Sequence, residues 1–261
     1  MKNTGQVIAA NDTELNNRHQ PEVLDNPVWN ALISNNRFLA NGNDQVKYFD
    51  KEVSPFAALR ENSAENFQML YEMMPAGRPV LFVAPVETEI PAPWKLLQVI
   101  KGYQMVCHQV SLKEETAGPE IIPLSAEHVP EMVALARLTK PGPFEDRTIA
   151  FGHYTGIFEN GKLAAMTGQR MHIDHYAEVS AVCTHPDYTG KGYARALLRH
   201  HLNRISAAGD IPILHVKDDN ERAIRVYESL GFTVRTKVYF YVIIKVDPER
   251  VEEGADYNPV H

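Results

Sequence analysis

Cysteine is scarce in this chain. Two residues, Cys107 and Cys183, among 261 are too few for a disulfide scaffold, and they fit a reducing, cytoplasmic setting. Long apolar runs are missing as well. The longest, such as Val238–Ile244, fall far short of the ~20 residues that a membrane-spanning helix needs. Met1–Asn17 is polar and lacks the apolar centre of a signal peptide. Nor is there an excess of positive charge: 26 Lys plus Arg face 33 Asp plus Glu, for a net −7. That balance argues against a nucleic-acid partner. Eleven histidines are present, but no metal set emerges from them. His172 and His175 are three apart on or near a strand, which sends them to opposite faces. His200 and His201 are helical neighbours that diverge by about 100°, and neither Cys nor carboxylate completes a zinc site.

What the chain does have is the composition of a globular protein with a proper core, 44% hydrophobic and 23% charged. Residues 1–22, rich in Asn, Gln and Thr, read as a flexible lead-in. From Val23, helical spacing appears at Trp29, Leu32, Ile33 and again at Phe67, Leu70, Tyr71. Pro79–Ala84 reads as a buried strand, Trp94–Gly102 as a helix ending on glycine, and Tyr103–Leu112 as a strand. Residues 23–115 are therefore expected to form a small α/β unit. The charged, Gly-Pro-terminated stretch 113–119 is read as the boundary after it.

A regular order follows over 119–246. Glu120–Leu124 reads as a strand, and Ser125 caps a helix through Leu138. Phe144–Phe151 reads as a short helix. Tyr154–Phe158 and Leu163–His172 form a hairpin about Asn160-Gly161, since Asn-Gly favours the tight hairpin turn. Ala177–Thr184 is a strand, Gly192–Ala208 a helix, Ile211–Val216 a strand, Asn220–Leu230 a helix and Phe232–Val246 a long strand. Residues 247–261 form an acidic tail. A helix, a Gly-aromatic pair and a strand recur at 94–110 and 222–242. That echo leaves two options, a duplicated half or a common α/β connection.

The informative stretch runs from Glu178 to Leu198, where a strand enters a glycine-bearing loop that opens a helix. Helix N-termini carry unpaired N–H groups and partial positive charge, which suit a phosphate. Gly190, Gly192 and the small Ala194 let the backbone approach a bulky anion. An ordinary strand-to-helix turn would look the same from the glycines alone. The loop is neither a Walker P-loop, lacking Gly-Lys-Ser/Thr at the required spacing, nor a Rossmann fingerprint, since Arg195 stands where the third glycine would fall.

Thr189-Gly190-Lys191-Gly192-Tyr193-Ala194 resembles the Gln/Arg-x-x-Gly-x-Gly/Ala loop of the GNAT superfamily of acyl-CoA-dependent N-acyltransferases. Asn220, Ala223, Tyr227 and Leu230-Gly231-Phe232 match that family's second signature. The resemblance covers about 120–246 and extends to the branch similar to glycine N-acyltransferases. It implies an α/β (α+β) GNAT fold: a mixed central sheet flanked by helices, here preceded by the smaller N-terminal unit, which could be a degenerate GNAT-like half. It also implies acetyl-CoA, or another acyl-CoA, as co-substrate with no metal, and an amine on a small molecule or a protein as acceptor. Acyl-CoA would lie where two central strands splay apart. The backbone of Val182, Cys183 and Thr184 would pair with the pantetheine arm, and Gly190, Lys191, Gly192, Tyr193, Ala194 and Arg195 would wrap the pyrophosphate. Asn220 would border the same cleft or cap its own helix. Thr189 replaces the usual Gln or Arg, so backbone amides should carry the phosphate contact, with Lys191 adding charge.

For catalysis by direct attack, the resemblance implies Glu178 as proton acceptor and Tyr227 as proton donor to the leaving thiolate. Each has a plainer reading, Glu178 as a salt-bridged strand residue and Tyr227 as a ring packed on the sheet. A phenol near ~10 protonating a thiolate near ~8.5 runs uphill by about 2 kcal/mol. Cys183 reads as a buried apolar residue rather than a nucleophile. An acyl-CoA-binding protein without turnover is the alternative function. The acceptor wall is expected in Phe144–Tyr154 and the N-terminal unit, which could otherwise serve as scaffold or homodimer interface.

Overall fold

A computed structural model describes residues 21–110 and 118–246. The lead-in before Pro21, most of the boundary stretch at 113–119 and the acidic tail lie outside the described residues. The elements follow in chain order: α1 (Pro27–Ile33), β1 (Ala40–Gly42), β2 (Val46–Phe49), β3 (Ala57–Leu59), α2 (Ala64–Met73), β4 (Pro79–Ala84) and β5 (Lys95–Val106). After the break come β6 (Ile122–Pro123), α3 (Val129–Thr139), β7 (Thr155–Glu159), β8 (Lys162–Ile173), β9 (Tyr176–Thr184), α4 (Tyr193–Ala207), β10 (Ile211–Lys217), α5 (Glu221–Glu228) and β11 (Thr233–Ile244). Strands β1–β3 form a small antiparallel sheet. The other eight form one mixed sheet in the order β4-β11-β5-β10-β9-β8-β7-β6.

Local signals in the sequence act as expected over most of the C-terminal stretch. Ser125 is part of a capping box with His128, a reciprocal pair of bonds that satisfies orphan donors of the 3-10 turn leading into α3. The β7–β8 hairpin turns at Asn160-Gly161. Two readings need smaller corrections: the strand at 120–124 is confined to Ile122–Pro123, and 144–151 holds a 3-10 turn at Thr148–Phe151 rather than a helix.

The larger correction concerns 94–102, which is strand and not helix. β5 is continuous from Lys95 to Val106, with β11 on one side and β10 on the other. Pairing with two distant strands overrides a local pattern that suits either conformation. Leu96 and Val99, which a helix would have buried on one face, are 44% and 38% exposed. Gly102 does not end a helix. A Cβ there would meet the Val216 carbonyl oxygen at 2.5 Å, so glycine permits close approach of β5 to β10. The echo between 94–110 and 222–242 disappears with that helix.

The sheet has two differently dressed faces. Ala177, Val179, Leu214, Val216 and Met105 pack under α4 and α5 with Leu198, Leu202 and Phe232. On the opposite face Ile213, Val106, Val238 and Phe240 join Leu24, Trp29 and Phe56 of the N-terminal segment and Met132 of α3. Strand alternation sorts residues between the faces, so neighbours such as Glu178 and Val179 look in opposite directions.

One buried polar residue in the α4 layer sets a pH dependence. His201 is fully buried, its Nε2 3.0 Å from the Thr155 hydroxyl and its Nδ1 without a partner among the described residues. Burial first, then the charges of Arg204, His200 and His153, push its pKa down to about 3. An unfolded chain binds this proton near ~6.5 whereas the folded protein resists it, so stability is lost as pH falls below ~6.5, by up to ~1.4 kcal/mol per pH unit. His201→Gln keeps a donor for Thr155 and removes the titration. The expected result is a melting temperature that falls less steeply than wild type between pH 7 and 4.5. Parallel curves would refute the assignment.

Candidate active site

The site is a wedge between β9 and β10. The two strands pair in parallel only between Ile211–Ile213 and Tyr176–Glu178. Beyond Glu178, β9 stays with β8 as far as Thr184, whereas Leu214–Lys217 of β10 stays with β5. Each strand is drawn to its outer neighbour, and a gap opens between them. Along the β9 edge the rung Gly168–Ser180 is followed by Met166–Cys183, three residues against two. This bulge holds Ala181 at φ 53°. A bulge interrupts the ladder and re-aims the backbone, here on the edge that borders the gap.

Downstream of β9 the loop is braced from within. The Asp187 amide donates to His185 Nδ1 at 3.2 Å, and the Thr189 hydroxyl donates to the Pro186 carbonyl at 3.0 Å. Thr189 thus serves the loop's own shape. Gly190 and Gly192 have φ of 82° and 81°, a region that L side chains rarely adopt. The space where their Cβ atoms would lie is open. Gly192 is the N-cap of α4 and no side chain caps it, so the first amides of a 15-residue helix face outward unpaired. Tyr193 is anchored by donating its hydroxyl to Glu159, and Ala194 is half-buried beside it. Lys191 departs from its expected role: its Nζ lies 3.6 Å from Glu159 and over the rings of Tyr188 and Tyr193. Arg195 Nη2 donates to Ser229 Oγ at 2.5 Å, tying the start of α4 to the end of α5. The positive character of the loop therefore comes from backbone N–H groups and the helix dipole.

The residues before the loop divide by face. Val182 is half-buried toward α4 and α5. Cys183 points into the opposite core, and burial pushes its thiol up to about 12, which removes it as a nucleophile. Among the described residues the Thr184 hydroxyl, at the end of β9, is buried without a hydrogen-bond partner. An uncapped helix, open space over two glycines and this orphan hydroxyl together fit a pyrophosphate with an extended polar arm.

On the other side of the gap, Asn220 Oδ1 accepts from the Ala223 amide at 3.2 Å, so it caps α5. Tyr227 packs its ring edge-on to Phe232, centroids 6.0 Å apart, in the same cluster as Val182. Its hydroxyl makes no hydrogen bond among the described residues, and burial pushes it up to about 12.

Glu178 sits at the apex, on the face opposite Tyr227. It is fully buried. Arg170 grips it with Nε at 2.9 Å and Nη2 at 2.5 Å, His215 Nδ1 lies 2.7 Å away, and the Met171 amide donates at 3.3 Å. Burial alone would raise its pKa. The Arg170 charge and the hydrogen bonds from Arg170 and His215 outweigh that and hold the carboxyl well below the usual range. A carboxylate held in that direction is a weaker proton acceptor, and Glu178 is salt-bridged to Arg170. The sequence carries a signal for one of these partners: His215 is the lone polar residue in the apolar run Ile211–Val216, whereas Arg170 sits among Thr167, Gln169 and His172. On this same face, Phe144 and Tyr154 stack edge-on with centroids 5.6 Å apart. Among the described residues no cluster of His, Cys, Asp and Glu could hold a metal ion, and no helix is long and apolar enough to cross a membrane.

Known proteins share this fold. Residues 154–241 match the family described as FR47-like protein. A GNAT-family acetyltransferase structure from Novosphingobium aromaticivorans is 33% identical and superimposes with a TM-score of 0.80, covering 88% of this chain and all of that one. The chain belongs to the GNAT family. Among more specific relatives, the ribosomal protein bS18-alanine N-acetyltransferase of Escherichia coli K12 is 36% identical over 87 residues, 32% of this chain and 58% of that enzyme. A mycothiol acetyltransferase of Nocardiopsis dassonvillei is 34% identical over 93 residues, 32% of this chain and 28% of its own length. The chain thus spans little more than half of the first of these relatives.

Proposed function

We propose that the protein is an N-acetyltransferase that moves an acetyl group from acetyl-CoA to an amine by direct attack. The observation that carries this reading is the β9–β10 wedge ending in the uncapped N-terminus of α4. Amides from Gly190 to Arg195 receive the pyrophosphate. The free edge of β9 from Val182 to Thr184 receives the pantetheine arm in place of a neighbouring strand, with the Thr184 hydroxyl finding its missing partner there. Acetyl-CoA supplies an activated thioester, whose carbonyl would lie beside the Ala181 bulge. The neutral amine approaches from the Glu178 face, past Phe144 and Tyr154; as the N–C bond forms and the C–S bond breaks, the thiolate leaves toward Tyr227 and takes up, through solvent, the proton that the amine nitrogen sheds.

Magnitudes decide two further points. A tyrosine near 12 giving its proton fully to a thiolate of pKa ~8.5 runs uphill by about 5 kcal/mol. Tyr227 therefore acts as a hydrogen-bond donor to the sulfur as charge develops. Without a free carboxylate base, the acceptor must arrive neutral. An α-amine of pKa ~8 is about one-tenth neutral at pH 7, against well under a thousandth for a lysine-like amine, so the reading favours α-amines. The alanine named in the Escherichia coli relative points the same way.

A hydrogen bond to a charged group contributes about 1.5–3 kcal/mol. Tyr227→Phe should therefore lower kcat for thiol release about 10- to 100-fold with acetyl-CoA affinity unchanged. An unchanged kcat would remove Tyr227 from the reaction. Tight acetyl-CoA binding with no thiol release to any α-amine would leave a binding protein rather than an enzyme.

A further inference from the structure

Tyr154 immediately precedes β7 and is buried on the Glu178 face of the sheet. Its ring does not stay over its own strand but lies across β8. The seat is Gly168: a Cβ there would collide with Cγ, Cδ1 and Cε1 of the ring, so glycine is what admits it. Phe144 meets the same ring edge-on, centroids 5.6 Å apart. The phenol is thus pinned between a backbone and a second ring. Gly168 pairs with Ser180, the rung at which the β9 bulge begins. The ionisable groups whose fields reach the phenol are Arg170 on β8 and Glu178 and Cys183 on β9. The last two lie on either side of Ala181, which places the hydroxyl beside the bulge.

Among the described residues this hydroxyl makes no hydrogen bond. Glu178, the carboxylate on this face, has no room for its proton. Oε1 already receives Arg170 Nη2 and His215 Nδ1, and Oε2 receives Arg170 Nε and the Met171 amide, which fills the roughly four lone-pair sites of a carboxylate. Burial raises the phenol well above its ordinary pKa, so the group stays protonated and remains a donor at neutral pH. A buried hydroxyl without a partner costs stability, and here one is held where the reacting groups meet. The attacking amine cannot serve as its acceptor, because the amine lone pair must face the carbonyl carbon. The acyl oxygen can.

We infer that Tyr154 is a catalytic residue whose hydroxyl, pinned over Gly168 beside the Ala181 bulge, donates a hydrogen bond to the acyl oxygen of acetyl-CoA. The inference rests on the acetyl-transfer reading. As the amine nitrogen bonds to the carbonyl carbon, the C=O electron pair moves onto oxygen, and the hydrogen bond strengthens with that charge. The phenol keeps its proton. The pair returns as the C–S bond breaks, and the thiolate leaves toward Tyr227. Two tyrosines thus serve the two heteroatoms of one thioester, Tyr154 the oxygen and Tyr227 the sulfur, from opposite faces of the sheet.

The test uses the full chain, the Tyr154→Phe variant and acetyl-CoA isotope-labelled at the carbonyl carbon. In infrared difference spectra the bound carbonyl band should stand at lower frequency in wild type than in Tyr154→Phe, because a hydrogen bond weakens the C=O bond. With a short alanine-initiated peptide as the amine, Tyr154→Phe should lower kcat for thiol release about 100-fold, the loss expected for one oxyanion donor, with KM for acetyl-CoA changed less than about two-fold. The melting temperature should not fall, since the hydroxyl bonds to no described residue, and this separates loss of the hydroxyl from loss of the fold. A carbonyl band at the same frequency in both proteins, or a shifted band with kcat unchanged, overturns the inference. No thiol release by wild type with any α-amine sinks the acetyl-transfer reading and the catalytic role with it. The band then still decides whether Tyr154 touches the acyl oxygen.

Discussion

Gly192→Asp should abolish measurable acetyl-CoA binding while leaving the protein folded. Aspartate is a good N-cap and tolerates a left-handed backbone better than most residues. The cost of φ 81° is then about 1 kcal/mol, and the helix loses little. Its carboxylate, however, would occupy the open space above the loop and meet the pyrophosphate. Two like charges 4 Å apart repel by about 4 kcal/mol at an effective dielectric of 20, close to a thousand-fold in affinity. Calorimetry with acetyl-CoA on wild type and variant measures this directly. An affinity within ten-fold of wild type would mean that the phosphates lie elsewhere.

The second large effect concerns the integrity of the sheet. A fragment of residues 118–246 carries both family signatures but should fail to fold. β5 lies between β10 and β11, and β4 forms the edge beyond β11. Without them β11 loses both neighbours and β10 loses the one that draws it away from β9. Buried side chains such as Val238 and Phe240 would lose packing that contributes roughly 1.5–3 kcal/mol each, against a total stability of only about 5–15 kcal/mol for an ordinary domain. The fragment should show no cooperative thermal unfolding by circular dichroism. A fragment that melts cooperatively would show that the sheet survives without β5.

These two expectations mark what could and could not be read from the residues alone. The glycine loop and the Asn220–Phe232 signature are local chemistry: glycines at left-handed positions, a cap, a helix start. So are the Asn-Gly hairpin and the Ser125 cap. Each depends on residues a few positions apart and was legible as such. The helix expected at 94–102 failed because partners more than a hundred residues away decided its conformation. Glu178 was found at the right place for a reason that concerns only its own strand. Its partners were not legible, because Arg170 and His215 reach it from the strands on either side. Gly168 escaped notice altogether, since a glycine in a strand has no meaning until the ring that lies on it is known.

The insertion of β5 also has a consequence for biosynthesis. The chain leaves the ribosome at about 5–20 residues per second, and β5 appears long before either strand that will flank it. Until β10 and β11 follow, β5 has two bare edges, with Val99 and Ile100 in its sequence. Such an edge invites pairing with any other nascent chain. Closure must await β11, so the sheet reaches its native form only once that strand has been translated. Holdase chaperones that shelter extended segments should therefore raise the yield of this protein more than that of one whose strands pair in the order they are made.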